Sequence, residues 1–352
     1  MKFICLVVLG FIIFENALSQ TENHNDLLIG VKSFISYESE IKEDAFEKDI
    51  FNIHRAYFTV KKDVNEYLGF RMTIDTYGDD DGQEERLKYL YANFKLPEIS
   101  IFDNTNVRAG IIHTPWLDFQ TDFYNYRMQG KLYLDKNDIF DSADFGITLF
   151  GDLMDGSEDE SNCFGAYSVG IYNGSGYTEF ELNPNKVFQM RLSLYPVWKI
   201  SQNWNVSYLF IRGESNIGEP TIKPDFITNS IYSAYKNEHF TLTAEYVFGK
   251  GNQSGSLITD DEISIKYDGF SLFGEVKPFD RFALIGRFDH LNTQKQIEYQ
   301  PENRIIAGAA WYFNPSNFLL LDYETAFHDG FDKVTMEMLK LTLQVNFDHV
   351  ID

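Results

Sequence analysis

Charged residues separate by sign along the water-facing side of the predicted β-strands. Basic residues take inward positions on strands two to eight, and acidic residues take them mostly on strands eleven to fifteen. If such strands close into a barrel, the two walls face each other, and their transverse field orients dipolar solutes and selects ions by charge. Alternatively, these charges pair with one another and only solvate a wide lumen. The candidate constriction residues on the strands are Arg55, Arg71, Arg108, Arg191, Glu245, Glu275 and Arg287.

A long insert interrupts the strand pattern after the fifth predicted strand. The strand Val107 to Thr114 is broken at Pro115, and the next alternating strand begins at Ala143. Loops of more than about 12 to 15 residues without regular structure usually carry function. We therefore expect residues 115–141 to fold into the barrel and narrow it. The charged candidates in this loop are Asp118, Asp122 and Arg127, and the aromatic residues expected to pack it on the inner wall are Trp116, Phe119, Phe123, Tyr124 and Tyr126.

Hydrophobic periodicity predicts sixteen strands, most with apolar and polar residues in alternation. The clearest examples set an apolar face for lipid against a polar face for water, as expected of a transmembrane β-barrel. The fold class is therefore all-β, a 16-stranded antiparallel barrel. The predicted ranges are 28–38, 53–62, 67–77, 87–96, 107–114, 143–150, 166–173, 187–195, 205–212, 226–235, 240–248, 265–276, 282–289, 305–313, 318–325 and 338–347.

The connections alternate between two kinds. Short turns at 63–66, 236–239, 277–281 and 314–317 alternate with long polar loops at 78–85, 174–186, 249–261 and 291–304. One rim of short turns and one of long loops is typical of outer-membrane barrels. The loop 151–164 is long although it falls on the short-turn rim. The last strand is predicted to end at Phe347, before a five-residue extension, DHVID.

Two soluble classes of β protein fit the sequence less well than a barrel. A propeller should repeat a blade motif, and the sequence shows none. A soluble sandwich rarely needs so many strands of about ten residues, which is the length that spans a bilayer at a tilt. A barrel without transport function, serving a structural or adhesive role through acidic loops, remains an alternative.

The N-terminal residues predict export. Lys2, an apolar run from Phe3 to Phe14, and small residues at Ala17 and Ser19 indicate a signal peptide over 1–19, followed by a single barrel domain over 20–352. No apolar run of about eighteen residues follows, so we expect insertion in a membrane only through strands. A net charge of −23 argues against nucleic-acid binding.

The sequence carries no recognisable catalytic or metal-binding motif. The sequence has no GxSxG element and no HExxH element, and its seven His are scattered over different predicted elements. Cys163 is the one cysteine after the signal, so no cysteine pair can bind zinc. We expect neither enzymatic activity nor a cofactor. The acidic runs 79–81 and 158–160 could bridge lipopolysaccharide through divalent ions or simply be solvated loops.

Several segments in order resemble a known family. They are RAYFTVKKDVNEYLGFRMTID from Arg55, VRAGIIHTPWLDF from Val107, NYR, SADFGITLFGDL, YSVGIYNGSGY, GFSLFGEV and IGRFDHL. This set resembles the phosphate-selective porin O and P family of bacterial outer-membrane porins. The resemblance implies passive diffusion of small hydrophilic solutes or ions, including anions such as phosphate, through a homotrimer embedded in outer-membrane lipid and lipopolysaccharide.

The resemblance also assigns roles to particular residues. Pro115 and Trp116 match the turn that begins the inward loop, Arg127 matches its basic residue, and Asn173 and Gly174 match a sharp turn after the seventh strand. The loop departs from a phosphate-selecting pattern in its charge. Three basic residues are outnumbered by Asp118, Asp122, Asp135, Asp138 and Asp141.

Overall fold

The computed structural model describes residues 27–41, 49–79, 82–156, 162–218, 223–295, 298–328 and 333–351. These residues form a closed barrel of sixteen strands, as predicted, in which each strand pairs antiparallel with its sequence neighbour and β1 pairs with β16. The predicted signal peptide over 1–19 and the acidic run at 158–160 lie outside the described residues. The strands are β1 Leu27–Glu40, β2 Asp49–Asp63, β3 Leu68–Asp79, β4 Gly82–Lys95, β5 Phe102–His113, β6 Ala143–Met154, β7 Cys163–Tyr172, β8 Val187–Leu194, β9 Trp204–Glu214, β10 Asp225–Lys236, β11 Phe240–Lys250, β12 Lys266–Phe279, β13 Phe282–Lys295, β14 Glu298–Asn314, β15 Asn317–His328 and β16 Lys333–Ile351.

Side chains alternate between the two faces of the wall. On β11, Leu242 and Tyr246 are 53% and 47% exposed on the outside, whereas Thr241 and Glu245 are buried inside. Successive side chains of a strand point to opposite faces, so an apolar outer belt and a polar lumen follow directly from the sequence alternation. Among the described residues, no helix is long and apolar enough to cross a membrane.

Two of the predicted long loops are largely strand. Within 78–85, Gly78 pairs with Gln83, and within 291–304, Leu291 pairs with Glu302. The polar residues there continue the antiparallel ladder beyond the apolar belt, since ladder hydrogen bonds do not require apolar side chains. The polar residues of these segments therefore show where the apolar outer belt ends, not where the strands end.

The barrel closes through a longer strand than predicted. Residues 348–351 continue β16, where Asp348 pairs with Gly30, Val350 with Leu28 and Ile351 with Leu27, and residue 352 lies outside the described residues. The predicted end at Phe347 was wrong because this segment finds its hydrogen-bond partners on β1, far away in sequence.

The segment between β5 and β6 turns into the lumen. It contains two single-turn helices, α1 (Leu117–Gln120) and α2 (Tyr133–Lys136). Its base is closed where the Thr114 N–H donates to the Ser142 carbonyl at 3.1 Å and the Thr114 hydroxyl donates to the Asp141 carbonyl at 3.0 Å. We call residues 114–142 the constriction loop.

A glycine on β5 permits close pairing with β4. Gly110 has φ +130°, and a Cβ there would lie 2.2 Å from the Leu90 carbonyl oxygen. We expect Gly110→Ala to cost about 1 to 3 kcal/mol of folding stability, since the φ is strained and the strands must separate. The measurement is the temperature at which the folded barrel converts to the unfolded band on a denaturing gel.

The matched control is Gly286→Ala on β13, where a Cβ would meet no atom within 4 Å. This variant should keep the conversion temperature of the unsubstituted protein. Equal losses in the two variants would contradict the role assigned to Gly110.

Candidate pore constriction

Aromatic side chains fix one side of the constriction loop to the barrel wall. Trp116, Tyr124 and Tyr126 are buried. Their ring centroids lie 5.9 Å from Tyr232, 4.8 Å from Phe273 and 5.6 Å from Phe318, respectively. Large aromatic groups contribute most of the apolar area that such contacts bury. The loop therefore covers the inner face of the wall formed by β10 to β16.

A buried carboxylate on this wall receives hydrogen bonds from the loop. Trp116 Nε1 donates to Glu245 Oε1 at 2.8 Å and Gln120 Nε2 donates to Glu245 Oε2 at 2.7 Å. Ser230 Oγ, from β10, also donates to Glu245 Oε1 at 2.8 Å. A buried carboxylate is tolerated only when its oxygens are satisfied. Glu245 therefore holds the start of the loop in a defined position.

Ionic groups of the same wall also face the loop backbone. Arg287 pairs with Asp289 at 2.7 Å and its Nη1 donates to the Lys131 carbonyl at 2.9 Å. Lys340 pairs with Glu324 at 2.7 Å and donates to the Gln129 carbonyl. Asp289 and Glu324 are thus paired with basic neighbours that also hold the loop.

The C-terminal part of the loop is held from two sides. Tyr133 donates its hydroxyl to the His290 carbonyl at 2.6 Å. From the β11–β12 loop, Asn252 donates to the Asp138 carbonyl at 2.8 Å, and Gln253 Oε1 accepts from the Asp141 N–H at 2.6 Å. These contacts fix both halves of the loop against β10 to β16.

A cavity of about 270 Å³ lies between the loop and the inner faces of β1 to β4 and β16, and we call it the opening. Its described lining carries two carboxylates, Asp118 and Asp348, against a larger basic set. That set is Lys32, Lys61, Arg71, Lys88 and Arg127, and the aromatic lining residues are Phe34, Tyr57, Tyr89 and Tyr124. A second cavity beside the loop, of about 450 Å³, has Arg55, Arg86, Lys131, Asp135, Asp138, Asp141 and Glu179 as its charged lining.

Asp118 is held as an anion by its neighbours. Its Oδ1 lies 3.1 Å from His113 Nδ1. Desolvation inside the barrel alone would raise the pKa of Asp118, but His113, Arg71 and Arg127 outweigh it and hold this pKa below its ordinary value. Asp118 therefore offsets part of the basic charge at the opening.

Basic charge continues next to the opening. Arg55 lines an adjoining cavity of about 170 Å³ together with Arg127, Lys131 and Tyr57. Its Nη1 donates to the Tyr57 hydroxyl at 3.2 Å and lies 3.5 Å from Asp75. Arg127 in turn lies 3.4 Å from Asp135. The basic groups of this cavity are therefore partly neutralised by Asp75 and Asp135.

The structure brings together three of the ten predicted constriction residues. Arg71, Asp118 and Arg127 line the same opening, and Arg55 lies in the adjoining cavity. Arg108 lies elsewhere on the lumen wall, where its Nε donates to Asn93 at 3.1 Å and its guanidinium covers the Phe150 ring at 4.1 Å.

The other five have different surroundings. The Asp122 carbonyl accepts a hydrogen bond from Lys236. Arg191 donates to Ser193 Oγ at 2.6 Å and its guanidinium covers the Phe119 ring at 4.1 Å. Glu245, Glu275 and Arg287 are buried. We assign Glu245 and Arg287 to anchoring of the loop, and Glu275 to a pair with Lys277 at 3.1 Å.

Sequence reasoning missed three lysines at the opening. Lys61 continues the inward positions of Arg55, Tyr57 and Thr59, so the period-two pattern could have found it. Lys88 could not be found in this way. The β3–β4 register shifts between Thr73, which pairs with Tyr89, and Ile74, which pairs with Leu87, and Lys88 is the additional residue. Lys32 of β1 is the third.

No protein-family model and no curated protein sequence matches this chain. Its fold, however, is shared by solved outer-membrane porins. OmpF of Salmonella typhi, solved in complex with daunomycin, aligns with a TM-score of 0.67 at 13% identity over 93% of this chain and 99% of that chain. The anion-selective porin from Comamonas acidovorans aligns with a TM-score of 0.62 at 10% identity over 92% and 98% of the two chains.

A third similar structure is the trimer form of OmpT, an outer-membrane protein of Vibrio cholerae. It aligns with a TM-score of 0.60 at 12% identity over 90% of this chain and 99% of that chain. At these identities the comparisons establish the shared barrel fold. The resemblance to the phosphate-selective porin O and P family is not supported by any family model.

Weakening of the Glu245 anchor should loosen the constriction loop. In Glu245→Gln, one amide nitrogen replaces an oxygen that accepts from Trp116, Gln120 or Ser230, so a donor then faces a donor. We expect larger current fluctuations and a higher mean conductance in single-channel recordings. Glu238→Gln, at an exposed position of the β10–β11 turn, makes the same chemical change and should leave both unchanged. Recordings from Glu245→Gln that match those of the control would contradict the anchor.

Loop docking should also depend on pH through Asp141. Burial, together with the nearby Asp135, raises the pKa of Asp141 to about 6. Because the docked loop binds this proton more tightly than the free loop, docking is favoured below that pH and weakens as the pH rises through it. We expect current fluctuations to increase from about pH 4 to about pH 6.5, that is, from the ordinary pKa of an aspartate to just above the pKa of docked Asp141.

The pH dependence should be lost in Asp141→Asn. Asp138→Asn is the matched control, because Asp138 is an exposed carboxylate of the same loop. If the fluctuations of Asp141→Asn still changed with pH as in the unsubstituted protein, another group would be responsible.

Proposed function

We propose that the chain forms a bacterial outer-membrane channel for passive diffusion of small hydrophilic solutes, with a preference for anions. The observation that carries this proposal is the charge of the opening, where five basic side chains face two carboxylates. Charged rings of one sign select permeants of the opposite sign. The shared porin fold and the predicted signal peptide support location in the outer membrane.

The net charge of the whole chain does not oppose this selectivity. The chain carries −23, but many of its carboxylates lie in loops and on the rims or in ion pairs behind the constriction loop. A permeating ion responds mainly to the charges around the narrow opening, where the low-dielectric walls focus the field. Phosphate is one anion that this opening would admit, as the sequence resemblance implies.

We also propose that the channel assembles as a homotrimer in contact with lipid and lipopolysaccharide. A structurally similar barrel, OmpT of Vibrio cholerae, has been solved in a trimer form. The apolar outer faces of the strands give each barrel a surface suited to lipid or to a second copy.

Ion selectivity should decrease when charge at the opening is removed. In Arg71→Ala and in Arg127→Ala, we expect the anion-to-cation permeability ratio to fall by about two- to fivefold, as for a loss of about 0.5 to 1 kcal/mol of attraction. The ratio is obtained from the reversal potential of the purified protein in planar bilayers under a salt gradient.

Arg281→Ala serves as the control, because Arg281 is exposed at the turn between β12 and β13. It should leave the ratio unchanged. A cation preference in the unsubstituted channel would contradict the proposed selectivity. A silent barrel would favour the structural or adhesive alternative.

A further inference from the structure

Lys88 stands out among the basic residues of the opening. Its side chain is 1% exposed, and its Nζ has no hydrogen-bond partner among the described residues. The ammonium lies 5.2 Å from the Tyr57 ring centroid and 5.7 Å from that of Tyr89. A buried ammonium that donates no hydrogen bond is costly, even beside aromatic rings. Since Lys88 also lines the opening, it is placed to pair with the negative group of a bound solute.

Aromatic rings surround the same space. Tyr57 lines it from the barrel wall with a partly exposed ring. Tyr89 and Tyr124 also line it, but each is 4% exposed, and the Tyr89 ring centroid lies 3.9 Å from that of His113. The Arg71 guanidinium lies over the Tyr89 ring at 4.7 Å. The opening thus combines charged donors with apolar ring surface, whereas a site for a small inorganic anion needs only the donors.

These two features favour one class of solute. A hydrated inorganic anion gains no contact energy from ring faces. A planar ring that bears a carboxylate can pack against tyrosine rings while its carboxylate accepts charge-assisted hydrogen bonds from Lys88 and Arg127. We propose that the opening binds small aromatic carboxylates in preference to inorganic phosphate and to aliphatic carboxylates. This proposal rests on the proposed anion channel and specifies its substrate class.

The test compares three anions on the full-length protein in planar bilayers. Benzoate, acetate or phosphate is added to a potassium chloride solution, and the concentration that halves the single-channel current is recorded. We expect benzoate to act at about fivefold lower concentration than acetate or phosphate, which is the order of one aromatic contact. Equal concentrations for the three anions would overturn the proposal.

Two kinds of variant separate the ring contribution from the charge contribution. Tyr57→Leu, which removes the partly exposed ring, should reduce the ratio between benzoate and acetate towards one, and Tyr89→Leu provides a second test. Lys88→Met should weaken block by all three anions. Tyr208→Leu removes a ring from the outer wall and should leave every value unchanged. A benzoate-to-acetate ratio that survives both ring substitutions would overturn the proposal.

The failure of this proposal can be told apart from failure of the proposed function. The reversal potential of the unsubstituted channel reports anion preference independently of benzoate. If that preference is present and benzoate does not differ from acetate, only the aromatic substrate class is wrong. If the preference is absent, the anion channel itself is wrong.

Discussion

The hydrogen bonds of Glu245 with Trp116 and Gln120 determine where the lumen is open. A carboxylate in a buried position is unfavourable unless its oxygens accept hydrogen bonds, and two of the three donors at Glu245 come from the constriction loop. The loop therefore has to lie on the β10 to β16 wall. Because the loop fills the side of the lumen next to β10 to β16, the opening lies on the side of β1 to β4.

The position of the loop also decides which charges reach a solute. Asp289 is paired with Arg287 and Glu324 with Lys340, and all four are buried beneath the loop. The opposing wall keeps Lys61, Arg71 and Lys88 at the opening. The two walls expected to oppose each other across a free lumen thus have unequal roles, because one is used to hold the loop. Because the loop covers the acidic residues of the later strands, the basic residues of the earlier strands are left in excess at the opening.

The fold was predictable because its dominant signal is local. Alternation of apolar and polar residues determines which face a strand shows to lipid, and all sixteen predicted strands are present. The strand ends were less predictable, since the polar ladders at Gly78 and Leu291 and the pairing of Asp348 with Gly30 depend on partner strands. The aromatic side chains within 115–141 also predicted a loop that packs on the inner wall of the barrel.

The composition of the opening was only partly predictable, because it depends on the tertiary position of the loop. Lys88 turns inward through a register shift that no alternation reveals. Glu245, Arg287 and Arg71 are all charged residues at inward strand positions in the sequence. They differ in the structure because the loop buries Glu245 and Arg287. The helices α1 and α2 have one turn each, and a single turn of helix has little stability of its own in water. The conformation that places Asp118 and Arg127 at the opening is therefore imposed by the barrel wall, so the charge met by a solute near β3 is governed by contacts on β11, β13 and β16.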